Sequence, residues 1–404
     1  MPDVNGNRFN QLATVLNSIH EQATGTSAAA AVDTHTFVSQ AQITLRTGYD
    51  AVANAVSFVL ARTIFGIRPY SARFRGLQAS AERYGNHVRK INYGDTAWMD
   101  DDRFHLPDEG ASVDQQIVLK PDVLQTNFYG TNVFEKGYTL YKDQLDAAFR
   151  GPDEFDMFIT GVIQNASDML EQSREELCRM MLANYIGGKI RSVTLGIQRA
   201  ENVVHLLTEY NTQTGLTLTV ADIYKPANFR AFMAWVYSRI AELCALMTER
   251  SNLFHTCPTV SGKTYNIMRH TPYARQKVYL YAPMQYAAEA RALADTYHDN
   301  YLRLADHETV NFWQSIISRD SINVKANFMR ADGAYPGPSD LVTVEQSGIF
   351  GVIFDEEALG WTQISAWQAP APFNARGGYT TVWMHESRRY WTDMTENGMV
   401  LLLD

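Results

Sequence analysis

The sequence predicts an α+β fold in which one very long helix lies between an extended two-stranded excursion and a mixed region that ends in strands. Three observations carry that prediction. Apolar residues keep one helical face from Phe155 to Met181. Strand-like segments occur at Val88 to Tyr93, Lys277 to Pro283 and Ile349 to Phe354. Between Gly76 and Gln125 the sequence turns polar and turn-rich, longer than a connection inside a compact domain needs.

Composition bounds the class. A chain of 404 residues can form two or three domains with a sizeable core. Its three cysteines, Cys178, Cys244 and Cys257, are widely spaced and odd in number, which fits a reducing compartment and buried small hydrophobes better than a disulfide framework. A net charge of -9 gives no general attraction to DNA, RNA or anionic lipid. Charged residues make up 20%, below the roughly 25% usual in soluble proteins, and aromatics reach 12%, a balance that leaves surface for protein partners. MPDVNGNRFNQ lacks the basic-then-apolar order of a signal peptide. The run from Ala51 to Ile67 contains Asn54, Ser57 and Arg62 and falls short of about 20 clean apolar residues, so a packed helix is expected there and no membrane span.

In order along the chain, Phe9, Leu12, Val15, Leu16 and Ile19 follow helical spacing, and TGTSAAAAVDT marks a flexible join, so the first 45 or so residues read as an arm. Strand-like pieces at Val88 to Tyr93 and Thr126 to Leu140 flank YGDTAWMDDDRFHLPDEGAS and an apolar alternation from Gln116 to Leu119, which together suggest a long protruding hairpin. The long helix begins at Pro152, Asp153 and Glu154, because proline lacks an N–H that a first turn would leave unpaired and the acids suit the positive end. Gly187-Gly188 is its expected stop. Asn228 is the expected cap of a helix carrying Phe229, Phe232, Met233, Val236, Ile240, Leu243, Cys244 and Met247 on one face. KVYLYAP then leads into the helical pattern MQYAAEARALADTY, and IFGVIF is a buried strand. The tail alternates through YTTVWMHESRRYWTDMT to Asn397-Gly398, a two-residue hairpin signal, and ends in a strand from Met399 to Leu403.

No constellation assembles an active site. TCPTVSGKTYN holds the Gly262-Lys263-Thr264 ending of a phosphate-cradling loop, but the glycine required five places before Gly262 is Cys257, and Pro258 contributes no N–H to an anion nest. A surface turn is the expectation. His298, Asp299, Asp306, His307 and Glu308 cluster without the second histidine of HExxH and read as a solvated helix end. His255 and Cys257 lack a third residue to complete a nucleophile or ligand set. Asp100-Asp101-Asp102 lacks the alternating oxygen spacing of a calcium loop and reads as solvated or paired with a neighbouring subunit. GxSxG and GxGxxG do not occur. No metal and no cofactor is expected.

The order of elements, with RKINYGDTAW (Arg89 to Trp98), ELCRMMLANYIGGKI, RHTPYARQKVYLYAPMQY (Arg269 to Tyr286) and GVIFDEEALGWTQISAWQAPAPFNARGGYTTVWMHESRRYW (Gly351 to Trp391), resembles the major capsid proteins of tailed bacteriophages, in particular the phi-29-like group of small podophages. The resemblance covers most of the chain and implies an HK-97-like fold. Residues 1–75 would be an N-terminal arm and helix, 76–140 an extended E-loop, 141–200 a peripheral domain with the spine helix, 201–345 an axial-domain-like α/β region, and 346–404 a return to the peripheral sheet. It implies a structural protein and not an enzyme: copies assembled as hexamers and pentamers into an icosahedral shell around double-stranded DNA that is not bound by sequence. The implied partners are a separate scaffolding protein, a portal and decoration proteins, with assembly in the bacterial cytoplasm. An appended immunoglobulin-like domain is not expected, and no lysine–asparagine pair for covalent crosslinking stands out. Trp98, Asp100, Asp101, Asp102 and Phe104, near the tip of the extended loop, are expected to face a neighbouring copy. The competing readings are an encapsulin-like compartment, a nucleotide-dependent enzyme using Lys263, and a ring-forming portal.

Overall fold

A computed structural model describes residues 4–26, 34–46, 52, 55, 74–79, 87–94, 116, 122–129, 131–291 and 307–404. The run from Ala51 to Ile67 and the alternation at Gln116 to Leu119 fall largely outside these residues. The chain divides into two compact units, each discontinuous in sequence. One comprises Met1–Gly85, Thr131–Leu177 and Thr362–Arg389, and the other Asn86–Gly130, Cys178–Trp361 and Tyr390–Asp404.

In the first unit, helices α1 (Val4–Thr24) and α2 (Thr34–Arg46) supply Leu16, Ile19, Phe37 and Ala41 to a core shared with Leu145 of α3 (Lys142–Ala148) and Phe155 of α4 (Pro152–Thr194). Phe155 meets Phe37 edge-on at 5.6 Å and Phe149 at 5.3 Å. The unit's sheet has the order β12 (Leu359–Pro370), β13 (Tyr379–Thr392), β3 (Asn132–Tyr141), with β13 antiparallel to β3 from Tyr379↔Tyr141 to Arg388↔Asn132. Alternation along β13 buries Thr380, Val382, Glu386 and Arg388. Of the charges buried on that face, Arg388 pairs with Glu386, and Glu386 also accepts from Arg174 of α4 at 3.2 Å. On the opposite face Trp367 stacks on His385 at 4.0 Å, and the Trp383 indole lies over Gly137, where an added Cβ would come within 3.2 Å of the ring.

In the second unit, a five-stranded sheet has the order β4 (Val203–His205), β14 (Gly398–Leu402), β11 (Ile349–Asp355), β7 (Gln276–Tyr281), β8 (His307–Val310). The outer pairs β4–β14 and β7–β8 are parallel and the inner ones antiparallel. Every residue of β11 and β14 is buried, which is why both read as unbroken apolar runs with no alternation. Helix α7 (Pro226–Thr248) covers the core with Phe229, Phe232, Met233, Val236, Ile240, Leu243, Cys244 and Met247, the face its spacing predicts. Also in this unit are α5 (Leu206–Thr214), α6 (Val220–Ile223), α8 (Ala282–Arg291) and the hairpins β5 (Thr259–Val260)–β6 (Lys263–Thr264) and β9 (Ile322–Ala326)–β10 (Val342–Gln346).

Five local expectations are corrected. Helix α4 runs through Gly187-Gly188 to Thr194 and closes at Gly196, whose φ of 69° suits a glycine C-terminal cap. The two interior glycines serve close packing: an added Cβ at 187 would lie 2.9 Å from Val324 and Ala326, and one at 188 would overlap the Asn327 carbonyl and the Met394 methyl. Asn397-Gly398 is not a hairpin turn, because β14 pairs with β11 and β4 and not with β13; Gly398 is needed where the Tyr185 hydroxyl fills the space of a side chain. The stretch Thr126 to Leu140 is two strands with different partners, β2 (Asp122–Tyr129) with β1 (His87–Gly94) and β3 with β13. Helix α7 starts at Pro226, not at an Asn228 cap, because proline fits the first position. His307 and Glu308 lie on strand β8 and not at a helix end.

Candidate functional site

Among the described residues, strands β1 and β2 form a separate two-stranded ladder with eight aligned pairs, from His87↔Tyr129 to Gly94↔Asp122. A lone hairpin is marginal in water and needs one face covered. Alternation divides its residues cleanly. Asn92 is buried and Lys90 half-buried, whereas Ile91, Tyr93, Val123 and Tyr129 are exposed, Tyr129 by 71%.

The inward face is held by charges. Lys90 Nζ lies 3.0 Å from Asp393, pairs with Glu396, and reaches Glu357 at 3.6 Å. Asn92 accepts from Arg269 at 2.7 Å, and Arg269 also binds Glu396 at 2.9 Å and the Thr395 carbonyl at 3.0 Å. The turn that carries both acids is shaped by Asp393, whose Oδ1 accepts from the Thr395 N–H at 2.8 Å and its hydroxyl at 2.7 Å, an Asx-turn arrangement. A third contact lies at the end of the ladder, where Asp122 pairs with Lys263.

Burial and charge set the protonation states. Burial alone would lower the Lys90 amine, but Asp393 and Glu396 outweigh it and hold it above the ordinary lysine value. Asp393 is fully buried, yet the Lys90 charge and the hydrogen bonds from Thr395 keep its carboxyl below the usual range. Glu396 is pushed up to about 7 by burial, with the Asp393 charge adding to the shift. Behind this cluster Lys189 of α4 is fully buried, donating to the Phe254 carbonyl at 2.9 Å and to Asn202 at 3.2 Å, and burial brings it down to about 7.

The residues singled out for chemistry fall into place. Lys263 opens strand β6, directly after the two-residue hairpin turn Ser261-Gly262, whose φ values are 54° and 79°, and not at the entrance of a helix. The turn is therefore not a P-loop, and its lysine is engaged by Asp122. His255 and Cys257 are adjacent, with Sγ 3.6 Å from Nε2, but burial lowers the imidazole to about 4 and raises the thiol, the reverse of an activated thiolate–imidazolium pair. Among the described residues no group of three or more His, Cys, Asp and Glu side chains is arranged to hold a metal ion, and no helix is long and apolar enough to cross a membrane. Trp98, Asp100, Asp101, Asp102 and Phe104 lie outside the described residues, as do His298, Asp299 and Asp306. Sequence reasoning missed Lys90, Asp393 and Glu396. The only local signal was a lysine alternating with apolar residues on a strand.

What this arrangement does is mechanical. It holds a polar inward face by ion pairs and leaves Ile91, Tyr93, Val123 and Tyr129 exposed on the outward face, beside Arg89 and Gln125. Comparison with known proteins gives this geometry a context. The family model described as "Phi29-like phage major capsid protein" matches residues 17–402. Among solved structures the chain is similar to one in the capsid structure of Staphylococcus phage Andhra, with 12% identity, a TM-score of 0.53, and coverage of 83% of this chain and 84% of that one. It is also similar to a chain from native bacteriophage P68, in a structure described as that of its head fiber and inner core protein gp22, with 14% identity, a TM-score of 0.54, and coverage of 83% and 85%. At such identities the structures speak to the fold alone. A comparison with curated protein sequences gives no match.

Proposed function

The chain belongs to the Phi29-like phage major capsid protein family, and from that premise we propose that the outward face of the β1–β2 hairpin, with the segment beyond it, forms the reach by which each copy grips its neighbours in the shell. The protein is the major capsid protein of a tailed phage and a structural component of its virion. The observation that carries the proposal is the hairpin's division into an ion-paired face and an exposed face bearing Ile91, Tyr93, Val123 and Tyr129. Four large side chains on so small a ladder are costly to leave in water, and covering them by another copy offsets the entropy of ordering an extended element.

In this reading copies assemble as hexamers and pentamers in the bacterial cytoplasm, guided by a separate scaffolding protein and closed around a portal, with decoration proteins free to add outside. The sequence layout is retained as a proposal: arm to residue 75, extended loop to 140, spine-helix domain to 200, axial region to 345, and return to the peripheral sheet. Trp98, Asp100, Asp101, Asp102 and Phe104 are the proposed contacts near the loop tip. The net charge of -9 supports a shell that does not trap packed DNA against its wall.

Negative-stain electron microscopy of the expressed chain, alone and with a candidate scaffolding protein, is the test. Closed particles that fill with DNA during infection agree with the proposal. Particles that hold cargo enzymes would assign an encapsulin-like compartment, and rings of about a dozen copies a portal. Deletion of residues 99–110 should leave a folded subunit that forms no shells, and normal shells from that deletion would remove the loop tip from the interface.

A further inference from the structure

The segment between β8 and β9 contrasts a fastened stem with a bare tip. Trp313 is buried, donates its indole N–H to the Ile349 carbonyl at 2.9 Å, and closes the turn through its backbone N–H to the Arg319 carbonyl at 3.0 Å. Gln314 grips Asn323 from both sides: its amide nitrogen donates to the Asn323 carbonyl at 2.9 Å, and its oxygen accepts the Asn323 N–H at 2.5 Å. From α4, the Arg179 guanidinium lies 3.8 Å from the centre of the Phe312 ring and donates to the Phe312 carbonyl. Inside the turn, Ile317 N–H donates to Ser315 Oγ at 3.2 Å, and Arg319 Nε to the Ile316 carbonyl at 3.3 Å.

At the tip stand two adjacent isoleucines, Ile316 at 66% and Ile317 at 95% exposure. A single exposed apolar residue is ordinary, but two β-branched side chains on a turn whose backbone is tied at both ends make a preordered apolar projection. Such a projection loses little side-chain entropy when it is buried against a partner.

We propose that the turn Ser315 to Arg319 is a knob that packs against a second copy of this chain within the assembled shell. The proposal rests on the shell reading above and adds to it a contact separate from the hairpin. The chemistry selects a protein occupant. Ser315-Ile316-Ile317-Ser318 carries no charge, and Arg319 is followed at once by Asp320, so the tip offers no basic surface to a phosphate backbone. Two aliphatic side chains without a flanking basic stripe also do not anchor a protein to lipid. A subunit repeated around a closed shell presents each knob to the same surface of the next copy, the heterologous contact that generates rings.

The test uses the full chain, under the conditions in which it forms particles, and two readouts. Ile316→Asp with Ile317→Asp should keep the far-UV circular dichroism and melting temperature of the free subunit and reduce closed particles at least tenfold, whereas Ile317→Leu should assemble normally. In particles built with Ile317→Cys, maleimide labelling at that position should be at least tenfold slower than in the free subunit, measured against the parent chain. Normal assembly of the double aspartate variant, or equal labelling of free and assembled Ile317→Cys, overturns the knob while leaving the shell reading intact. Failure of the unmodified chain to form particles under any condition removes both.

Discussion

Lys90, in the middle of β1, places its ammonium 3.0 Å from the fully buried carboxylate of Asp393, a residue just beyond the end of β13. Through this pair a hairpin that has no hydrogen-bonded neighbour strand among the described residues is tied to the turn before β14. With Glu396 and Arg269 it forms a set of two half-buried cations and two buried acids in which each charge faces its opposite.

Lys90→Met therefore leaves Asp393 and Glu396 without their main counter-charge. Removing one partner of a buried pair costs about 3–5 kcal/mol, and replacing the whole set by neutral groups costs much less. The urea midpoint of the unassembled subunit should fall sharply in Lys90→Met and recover in part when Asp393→Asn is added, because Glu396 keeps Arg269 as its counter-charge. Added salt should change neither result much, because buried pairs are weakly screened. A single variant as stable as the parent would mean that the cluster does not fasten the hairpin.

His255 gives the fold an acid limit. Its Nε2 lies 2.7 Å from the Ile267 carbonyl and its Nδ1 2.8 Å from the Asn397 side-chain amide, and burial lowers its pKa to about 4 from an ordinary 6.5. A histidine depressed in the fold is neutral there, so its contribution is fully present above pH 6.5 and is lost as pH falls toward 4, up to about 3 kcal/mol at the order-of-magnitude level. Glu396, raised to about 7, acts in the opposite sense, because the fold holds its proton more tightly than the unfolded chain between pH 4.5 and 7. The informative measurement is the difference in urea midpoint between the parent and His255→Gln from pH 7 to 4. That difference should shrink as the pH falls, and a constant difference would contradict a neutral buried imidazole.

Much of the architecture was legible because it rests on local periodicity. The face of α7, the continuous runs of β7 and β11, and the start of α4 at Pro152 follow from side-chain spacing and helix-end chemistry. What was not legible depends on partners distant in sequence. Gly187-Gly188 and Asn397-Gly398 carry local stop and turn signals, but tertiary packing against Asn327, Met394 and Tyr185 uses their missing side chains for close approach. The anchoring cluster was hidden for the same reason: nothing near Lys90 in sequence indicates that Asp393 and Glu396 will face it. The GKT turn was readable, because the absence of a glycine at position 257 and the presence of Pro258 already argued against phosphate binding, and the two-residue hairpin agrees.

Lys263 provides a direct check on that reading. Its pairing with Asp122 is exposed, so Lys263→Ala should leave the urea midpoint within error of the parent. Isothermal titration of the parent with ATP or GTP should give no saturable heat. Saturable binding abolished by Lys263→Ala would restore the enzyme reading.

Two glycines in α4 should respond oppositely to the same substitution. Alanine is favoured over glycine in a helix interior by about 1 kcal/mol, chiefly through backbone entropy. At Gly161 an added Cβ meets nothing among the described residues within 4 Å, so Gly161→Ala should raise the urea midpoint of the free subunit by most of that amount. At Gly188 the same methyl would overlap the Asn327 carbonyl, a backbone atom that cannot rotate away, as well as the Met394 methyl. Overpacking of this kind costs about 1–3 kcal/mol or more, which exceeds the gain in propensity. Gly188→Ala should therefore lower the midpoint while Gly161→Ala raises it. If both rose together, α4 would not approach the Asn327 backbone as closely as described, and the passage of the helix through Gly187-Gly188 would need another explanation.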